Sequence, residues 1–398
     1  RKTIASFPEF APAHSALGVL QEQLGDKEAA AESFKRAIAL APEAVKPHAQ
    51  LALLKGRCSS DEEIAAMENL RARAQLSSDD LSELCFGLGE AYHQIGAHDQ
   101  AFAAWRQANQ IRAERSPYEP ETRIVQRDEI LSLTREMLQQ GPGSQPGGSG
   151  PRMVFIIGMP RSGTSLTDQV LSAHSAVGSL GEVSYSEDMS RQVKAMTGVS
   201  YPQGLLKLDQ AHVQSLRESY LQRISPALTH SAIVLDKTPM NFQYLGLLAR
   251  VFPDARFIHC HRNPIDNCFS IYRLPFSTDQ DYAHDLTALG RHYQLYQELM
   301  RQWHGMYPGR ILDVCYESTV ADLQAQAERL AAFLEIAFEP AMLEFHRVDR
   351  LVRTPSASQV RQPIYTSSVA AWRKYEAYLQ PLLRCVESSS FTRDEPGL

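Results

Sequence analysis

At 398 residues the chain exceeds one typical core and suits two domains. Its 43% hydrophobic and 22% charged composition, with a formal net charge of -6, is ordinary for a globular protein and excludes a dominant nucleic-acid surface, so an anionic ligand has to meet a local basic site. Six scattered cysteines without a CxxC pair exclude a small disulfide scaffold and read as reduced, mostly buried thiols, and no stretch approaches the ~20 consecutive apolar residues of a membrane helix.

These features lead to the expectation of a cytoplasmic protein with no membrane segment. The chain opens on Arg1 rather than a methionine and its helical pattern starts almost at once, which leaves open a targeting segment further upstream.

From His14 to Pro42, the positions Leu17-Gly18, Gly25, Ala30, Phe34, Ala37 and Pro42 have the spacing of a tetratricopeptide helix-turn-helix unit. The same offsets recur at Leu88-Gly89, Tyr92, Gly96, Ala101, Trp105 and Ala108, two repeat lengths of ~34 residues downstream, and a degenerate middle copy fits around Leu51-Ala52. Helical spacing puts Phe34 and Trp105 on the face of the small residues, so both are expected to fill the gap between paired helices rather than to carry chemistry. A stack of such units leaves a concave groove suited to a peptide or a partner; a module for solubility and assembly is an equal reading. A helical segment follows over residues 122–139, and then glycine and proline from Gly141 to Pro151 break all periodicity. The expected division is a helical-repeat domain over 1–140, a linker over 141–151 and a second domain over 152–398.

Behind the linker, Met153 to Ile157 reads as a strand, Gly158-Met159-Pro160-Arg161-Ser162-Gly163-Thr164-Ser165 as a glycine loop, and Leu166 to Leu171 as a helix. This is the pattern of a nucleotide-triphosphate loop, except that Thr164 stands where such enzymes carry lysine. A triphosphatase uses that lysine on the terminal phosphates and the next hydroxyl on magnesium, whereas a 5'-phosphosulfate needs backbone N–H donors and hydroxyls but no metal. The missing lysine favours the sulfate donor. Arg161 would then lie inside the loop with its planar fork available to sulfuryl oxygens.

The stretch from Ile156 to Leu166 resembles the 5'-phosphosulfate loop of the sulfotransferase family, in the form found in bacterial tetratricopeptide fusions and in protein-tyrosine sulfotransferases. The resemblance extends as ordered motifs over roughly residues 152–383. It implies 3'-phosphoadenosine 5'-phosphosulfate as donor and co-substrate, 3'-phosphoadenosine 5'-phosphate as product and no metal, with Arg161, Ser162, Gly163, Thr164 and Ser165 at the phosphosulfate. Arg256 to Arg262 reads as a strand, Asn263-Pro264 as a capped helix start, and Ser270 follows Arg262 by eight residues, so Arg262 and Ser270 are similar to the pair that grips the 3'-phosphate. Tyr316 is similar to the family's adenosine-side contact. The segment from Thr354 to Tyr365, followed by Trp372, looks like the loop that closes over the donor, which implies Ser356 at the phosphosulfate and Arg361 or Gln362 at the nucleotide phosphate. His259 and His261 share a strand face, but no third and fourth ligand stands near them in sequence, so no metal is expected.

For the chemistry, Glu182 follows Arg161 at a spacing similar to the catalytic glutamate of protein-tyrosine sulfotransferases, which implies a general base; the competing reading is a carboxylate capping the next helix. Lys237, at the end of an apolar strand, is similar to the lysine that family enzymes place on the leaving group, the competing reading being that Asp236 and Lys237 are solvent residues at a strand end. His174 is a less favoured base. The expected fold is an all-helical repeat domain followed by an α/β domain with a largely parallel sheet, with strands at 153–157, 233–236, 256–261 and 311–315. The expected activity is sulfuryl transfer to an acceptor hydroxyl, with a peptide tyrosine, a sugar, a lipid and a small phenol all open and the repeat groove tilting toward a large acceptor. A metal-dependent kinase or NTPase, and a scaffold with an inactive α/β domain, are the alternatives.

Overall fold

The computed structural model describes residues 2–54, 57–73, 76–139, 150–224, 228, 231–276, 280–347, 361, 364 and 368–387. The N-terminal half is helical throughout: α1 (Lys2–Ser6), α2 (Ala11–Gln23), α3 (Lys27–Leu40), α4 (Val45–Leu53), α5 (Asp61–Arg71), α6 (Ser78–Gln94), α7 (His98–Arg115) and α8 (Pro120–Gln139). α2 packs on α3 and α6 on α7, while α4 packs mainly on α6, with α5 against both. The small residues act as the spacing suggested. A Cβ on Gly18 would come within 2.5 Å of the Phe34 ring, and one on Gly89 would overlap the Trp105 indole. Phe34 and Trp105 are both fully buried. Most of the linker, residues 141–149, lies outside the described residues.

The second half runs β1 (Arg152–Gly158), α9 (Thr164–Ser172), β2 (Val177–Ser179), α10 (Tyr185–Thr197), α11 (Gln210–Leu221), β3 (Ile233–Asp236), α12 (Leu245–Val251), β4 (Arg256–His261), α13 (Pro264–Tyr272), α14 (Leu286–Met306), β5 (Ile311–Cys315), α15 (Tyr316–Ala321), α16 (Leu323–Leu334) and α17 (Gln380–Glu387). The five strands form one parallel sheet in the order β2-β3-β1-β4-β5. From β1 the chain moves outward to β2 and β3 and then crosses to β4, so the loop after β1 opens where the strand order reverses, the usual ligand crevice of such sheets. The four expected strands are present; β2, three residues long, is an addition. Between β3 and β4 the chain passes through a 3-10 turn, Pro239–Tyr244, into α12.

Alternation along the buried strands serves two cores. Val154, Ile156, Leu235 and Ile258 face α9 and α16. Met153, Phe155, Ile157 and Phe257 belong to a larger cluster that also takes Phe86, Phe102, Trp105 and Leu131 from the helical half. The Trp105 ring meets Phe269 of α13 edge to face at 5.8 Å, and Arg273 lies over it at 4.7 Å while pairing with Glu90 at 2.8 Å. Asn109 donates to the Tyr272 carbonyl at 2.8 Å. The repeats and the sheet domain therefore bury apolar surface against each other.

Of the six cysteines, Cys85, Cys260 and Cys268 are buried, Cys315 and Cys385 are half-buried and Cys58 is exposed, so burial is less general than expected; all six are free thiols. Among the described residues no helix is long and apolar enough to cross a membrane.

Candidate active site

The loop between β1 and α9 is shaped by its backbone. Gly158 has φ +146° and Gly163, the residue before α9, has φ +102°. A Cβ on Gly158 would overlap the Cys260 carbonyl of β4, and one on Gly163 would come within 3.0 Å of the Tyr316 ring, so glycine is required at both places. Arg161 lies between them in the left-handed region at φ +68°, a conformation costing a non-glycine residue ~1 kcal/mol and common where a functional site dictates the backbone. Its Nε donates to Ser270 Oγ at 3.1 Å. Asn267 of α13 donates to the Pro160 carbonyl at 2.9 Å and so ties the loop to the neighbouring helix. Thr164 and Ser165 are buried at the start of α9, and Ser162 is buried with no hydrogen-bond partner for its Oγ among the described residues. A buried hydroxyl left open beside a helix N-terminus suits an anionic ligand.

Glu182 and Lys237 meet across the ends of β2 and β3. The Lys237 ammonium, almost wholly buried, donates to Glu182 Oε1 at 2.5 Å, while the Glu182 side chain stays 39% exposed. Both competing readings are set aside by this contact: the residue before α10 is Ser184, without a side-chain cap, and Asp236 and Lys237 are buried rather than solvated. Asp236 underpins the pair. Tyr220 donates to it at 2.5 Å and Thr238 at 2.6 Å, and burial pushes its carboxyl up to about 6. The Thr238 hydroxyl also accepts from the Val183 N–H at 3.1 Å, and the Lys237 N–H donates to the Gly181 carbonyl at 3.0 Å, so the Glu182 segment is held on the strand end. Thr238 is one of the holding residues that sequence reasoning missed.

At the end of β4, Asn263 caps α13 by accepting from the N–H groups of Ile265 and Asp266, both at 3.1 Å. The buried Arg262 guanidinium lies over the Tyr316 ring at 4.9 Å, 3.8 Å from Asp266 and 3.9 Å from Glu317, and donates to the Ser368 carbonyl. Its Nε has no hydrogen-bond partner among the described residues. Ser270, expected beside Arg262, is instead bonded to Arg161, so α13 links the two arginines. Tyr316 starts α15 rather than ending the strand, and touches both Gly163 and Arg262. Asp266, also missed, accepts from the N–H groups of Ala370 and Trp372 at 2.7 and 3.2 Å and anchors the segment behind the expected covering loop.

Ser356 and Gln362 lie outside the described residues. Arg361 is not brought to the loop: its stem packs on Gly25, which has no side chain to exclude it, and its guanidinium donates to the Gln23 carbonyl at 3.5 Å at the end of α2. His174 is occupied structurally, with Nε2 against the Ala337 carbonyl at 2.8 Å and Nδ1 accepting from the Ala176 N–H at 3.0 Å.

The argument from sequence distance that His259 lacks further ligands does not survive folding. His304 of α14 and Asp313 of β5 converge on it, with possible ligand atoms all within 4.8 Å of one another. The three are joined by hydrogen bonds, His259 Nδ1 to Asp313 Oδ1 at 2.6 Å and His304 Nε2 to the same oxygen at 3.0 Å, and Tyr296 caps the other His259 nitrogen. Burial alone would raise the Asp313 carboxyl, but the two histidine hydrogen bonds outweigh it and hold it well below the usual range.

Beside the Glu182–Lys237 pair lies a cavity of about 350 Å³. Its walls include Val183, Ser184 and Thr238, the residues directly after the pair, together with Tyr244, Tyr282 and His292, and Arg123 from α8 of the helical half. The cavity thus lies next to the segments that carry Glu182 and Lys237 and takes one wall from the helical half.

Residues 151–340 match the sulfotransferase family and residues 11–44 a tetratricopeptide repeat. An uncharacterized protein of Aquifex aeolicus is 31% identical over 403 residues, covering 97% of this chain and 52% of that protein, so the chain spans about half the length of this relative. Protein-tyrosine sulfotransferase 1 of Danio rerio is 26% identical over 245 residues, covering 55% of this chain and 65% of that protein. Among solved structures, the sulfotransferase domain of the Synechococcus PCC 7002 olefin synthase aligns with 64% of this chain and 99% of its own, at 23% identity and a TM-score of 0.46. The α/β part of the chain is thus similar to the sulfotransferase family, with a match to a tetratricopeptide repeat ahead of it.

Proposed function

We propose that the chain moves a sulfuryl group from 3'-phosphoadenosine 5'-phosphosulfate to an acceptor hydroxyl, with Glu182 as general base. The observation that carries this reading is the Glu182–Lys237 pair at 2.5 Å, set on the sheet edge where the glycine loop also opens. A carboxylate and a buried ammonium at that edge are the two groups an in-line displacement at sulfur needs on its acceptor and leaving sides.

The donor supplies a sulfuryl group whose bridging oxygen departs with the 5'-phosphate. Glu182 takes the acceptor proton as the acceptor oxygen bonds to sulfur. Lys237 neutralises the bridging oxygen as its bond to sulfur breaks, leaving 3'-phosphoadenosine 5'-phosphate. Arg161 and the loop residues Ser162, Gly163, Thr164 and Ser165 hold the phosphosulfate, and the open Ser162 hydroxyl fits that role. Arg262 and Ser270 take the 3'-phosphate, and Tyr316 the adenosine side. Ser356 is assigned to the phosphosulfate on the family likeness alone; Arg361, placed at Gln23, is left out of the mechanism. We take residues 1–140 as the repeat part, 141–151 as linker and 152–398 as the transferase part, with the repeats offering a groove to a partner protein or a large acceptor.

Calorimetric titration with 3'-phosphoadenosine 5'-phosphate, with and without magnesium, tests the donor half. Binding is expected without metal and about tenfold weaker or worse in Arg262→Ala, as for a lost charged phosphate contact. Absence of binding by the wild type would overturn the reading, and magnesium-dependent binding of a nucleoside triphosphate would support a kinase or NTPase in its place.

A further inference from the structure

Two residues in the wall of the cavity near Glu182 carry buried polar atoms that have no hydrogen-bond partner among the described residues. Both ring nitrogens of His292 and Oε1 of Gln280 are buried without a hydrogen-bond partner among the described residues, and both residues line the cavity. His292 is 7% exposed and stacks flat on Tyr282, with ring centroids 3.8 Å apart and planes 4° off parallel. Burial and the nearby Arg123 charge push the His292 imidazole down to about 3, so it stands neutral, with one nitrogen donating and the other accepting. Buried polar groups are nearly always paired, and leaving such atoms open in a native protein points to a ligand that pairs them.

The cavity's charges are already spoken for. Arg123 makes two contacts of 3.1 Å with Asp281, and Glu187 is held by Arg191 at 2.7 Å. A strongly acidic or basic acceptor would therefore find no unpaired counter-charge in these residues. A bare phenol would give its one hydroxyl to Glu182 and leave His292 and Gln280 unfilled. Neighbouring hydroxyls on one scaffold, each able to donate and accept, match a neutral imidazole and an amide oxygen together, and the half-buried Tyr244 ring adds a face for the C–H side of a pyranose.

We propose that this cavity receives the acceptor and that the acceptor is a neutral polyhydroxylated molecule, a carbohydrate, read by His292 and Gln280. The inference rests on the transferase reading above. Arg123, which lies on α8, makes the helical half part of the acceptor site.

The test offers the whole chain radiolabelled 3'-phosphoadenosine 5'-phosphosulfate with four acceptors: cellotetraose, chitotetraose, 2-naphthol and an acidic pentapeptide with a central tyrosine. Transfer to one or both oligosaccharides is expected. His292→Phe keeps the stack on Tyr282 but removes both nitrogens, and should raise KM for the oligosaccharide about tenfold, equivalent to ~1.4 kcal/mol, with unchanged affinity for 3'-phosphoadenosine 5'-phosphate. Gln280→Ala should act in the same direction and serves if the first variant fails to fold. Transfer to naphthol or to the peptide with both oligosaccharides inert would overturn the proposal, as would an unchanged KM in folded variants, or no transfer to any acceptor while the nucleotide product still binds. Failure of that product to bind at all would instead overturn the donor-site reading.

Discussion

Glu182 is bound to its neighbour Lys237 by a single short contact, yet the two have different surroundings: the lysine is almost wholly buried while the carboxylate keeps 39% exposure. That asymmetry supports the proposed proton-accepting role of the accessible partner. Glu182→Gln should keep affinity for 3'-phosphoadenosine 5'-phosphate and lower the transfer rate by about a hundredfold or more, read as turnover with calorimetry as control. Unchanged turnover would remove Glu182 from its role. Gly158→Ala should lower stability by ~1–3 kcal/mol in urea denaturation, because its φ of +146° and the Cys260 carbonyl leave no room for a Cβ. His292 sets a pH window. Its imidazole is pushed from 6.5 to about 3, so the unfolded chain takes up a proton where the folded one does not. The stability this contributes is present above pH 6.5 and is lost as the pH falls toward 3. Between pH 6.5 and 4.5 the wild type should lose ~2.3 kcal/mol relative to His292→Phe, measured by paired urea titrations; a constant gap would contradict the burial argument. Among single residues, Gly163 and Arg161 were legible because a glycine loop is a local signal. Asp266 and Thr238 were not, since an aspartate four residues after an arginine and a threonine after a lysine look like ordinary surface chemistry until the partners arrive.

Elements were read best where their signal was continuous. The strands at 153–157, 233–236, 256–261 and 311–315 are uninterrupted or nearly uninterrupted runs of strand-forming residues, as strands buried on both faces have to be, and they appear within one residue of expectation. β2 escaped because Val177, Gly178 and Ser179 carry no apolar run; it is a strand only because β3 supplies its hydrogen bonds. In the repeats, the Gly18–Phe34 and Gly89–Trp105 contacts follow from helical spacing alone. Trp105 does more than fill its own pair, since it also packs on Phe269, Tyr375 and Arg273 of the sheet domain. Trp105→Ala should therefore cost ~3–5 kcal/mol, and the loss should appear equally in probes placed in either half. A loss confined to the helical half would show that the contact with the sheet domain contributes little.

For the molecule as a whole, the larger core cluster runs from Phe86 and Trp105 through the sheet to Tyr375 and Leu382, and the buried Arg273–Glu90 pair crosses the same seam. Differential scanning calorimetry should accordingly give one transition with equal calorimetric and van't Hoff enthalpies; two resolved transitions would mean that the halves unfold independently. By itself the sequence determined the order of elements, the repeat register, the glycine loop and the family likeness, because these are written in contiguous spacing, periodicity and glycine placement. The tertiary structure alone decided which groups face one another. Lys237 meets Glu182 across 55 residues, Asp313 and His304 close on His259, Arg361 goes to Gln23 rather than to the loop, and Arg123 joins His292 at the cavity. Charge, burial and an open hydrogen bond are properties of such distant pairs, which no local pattern encodes.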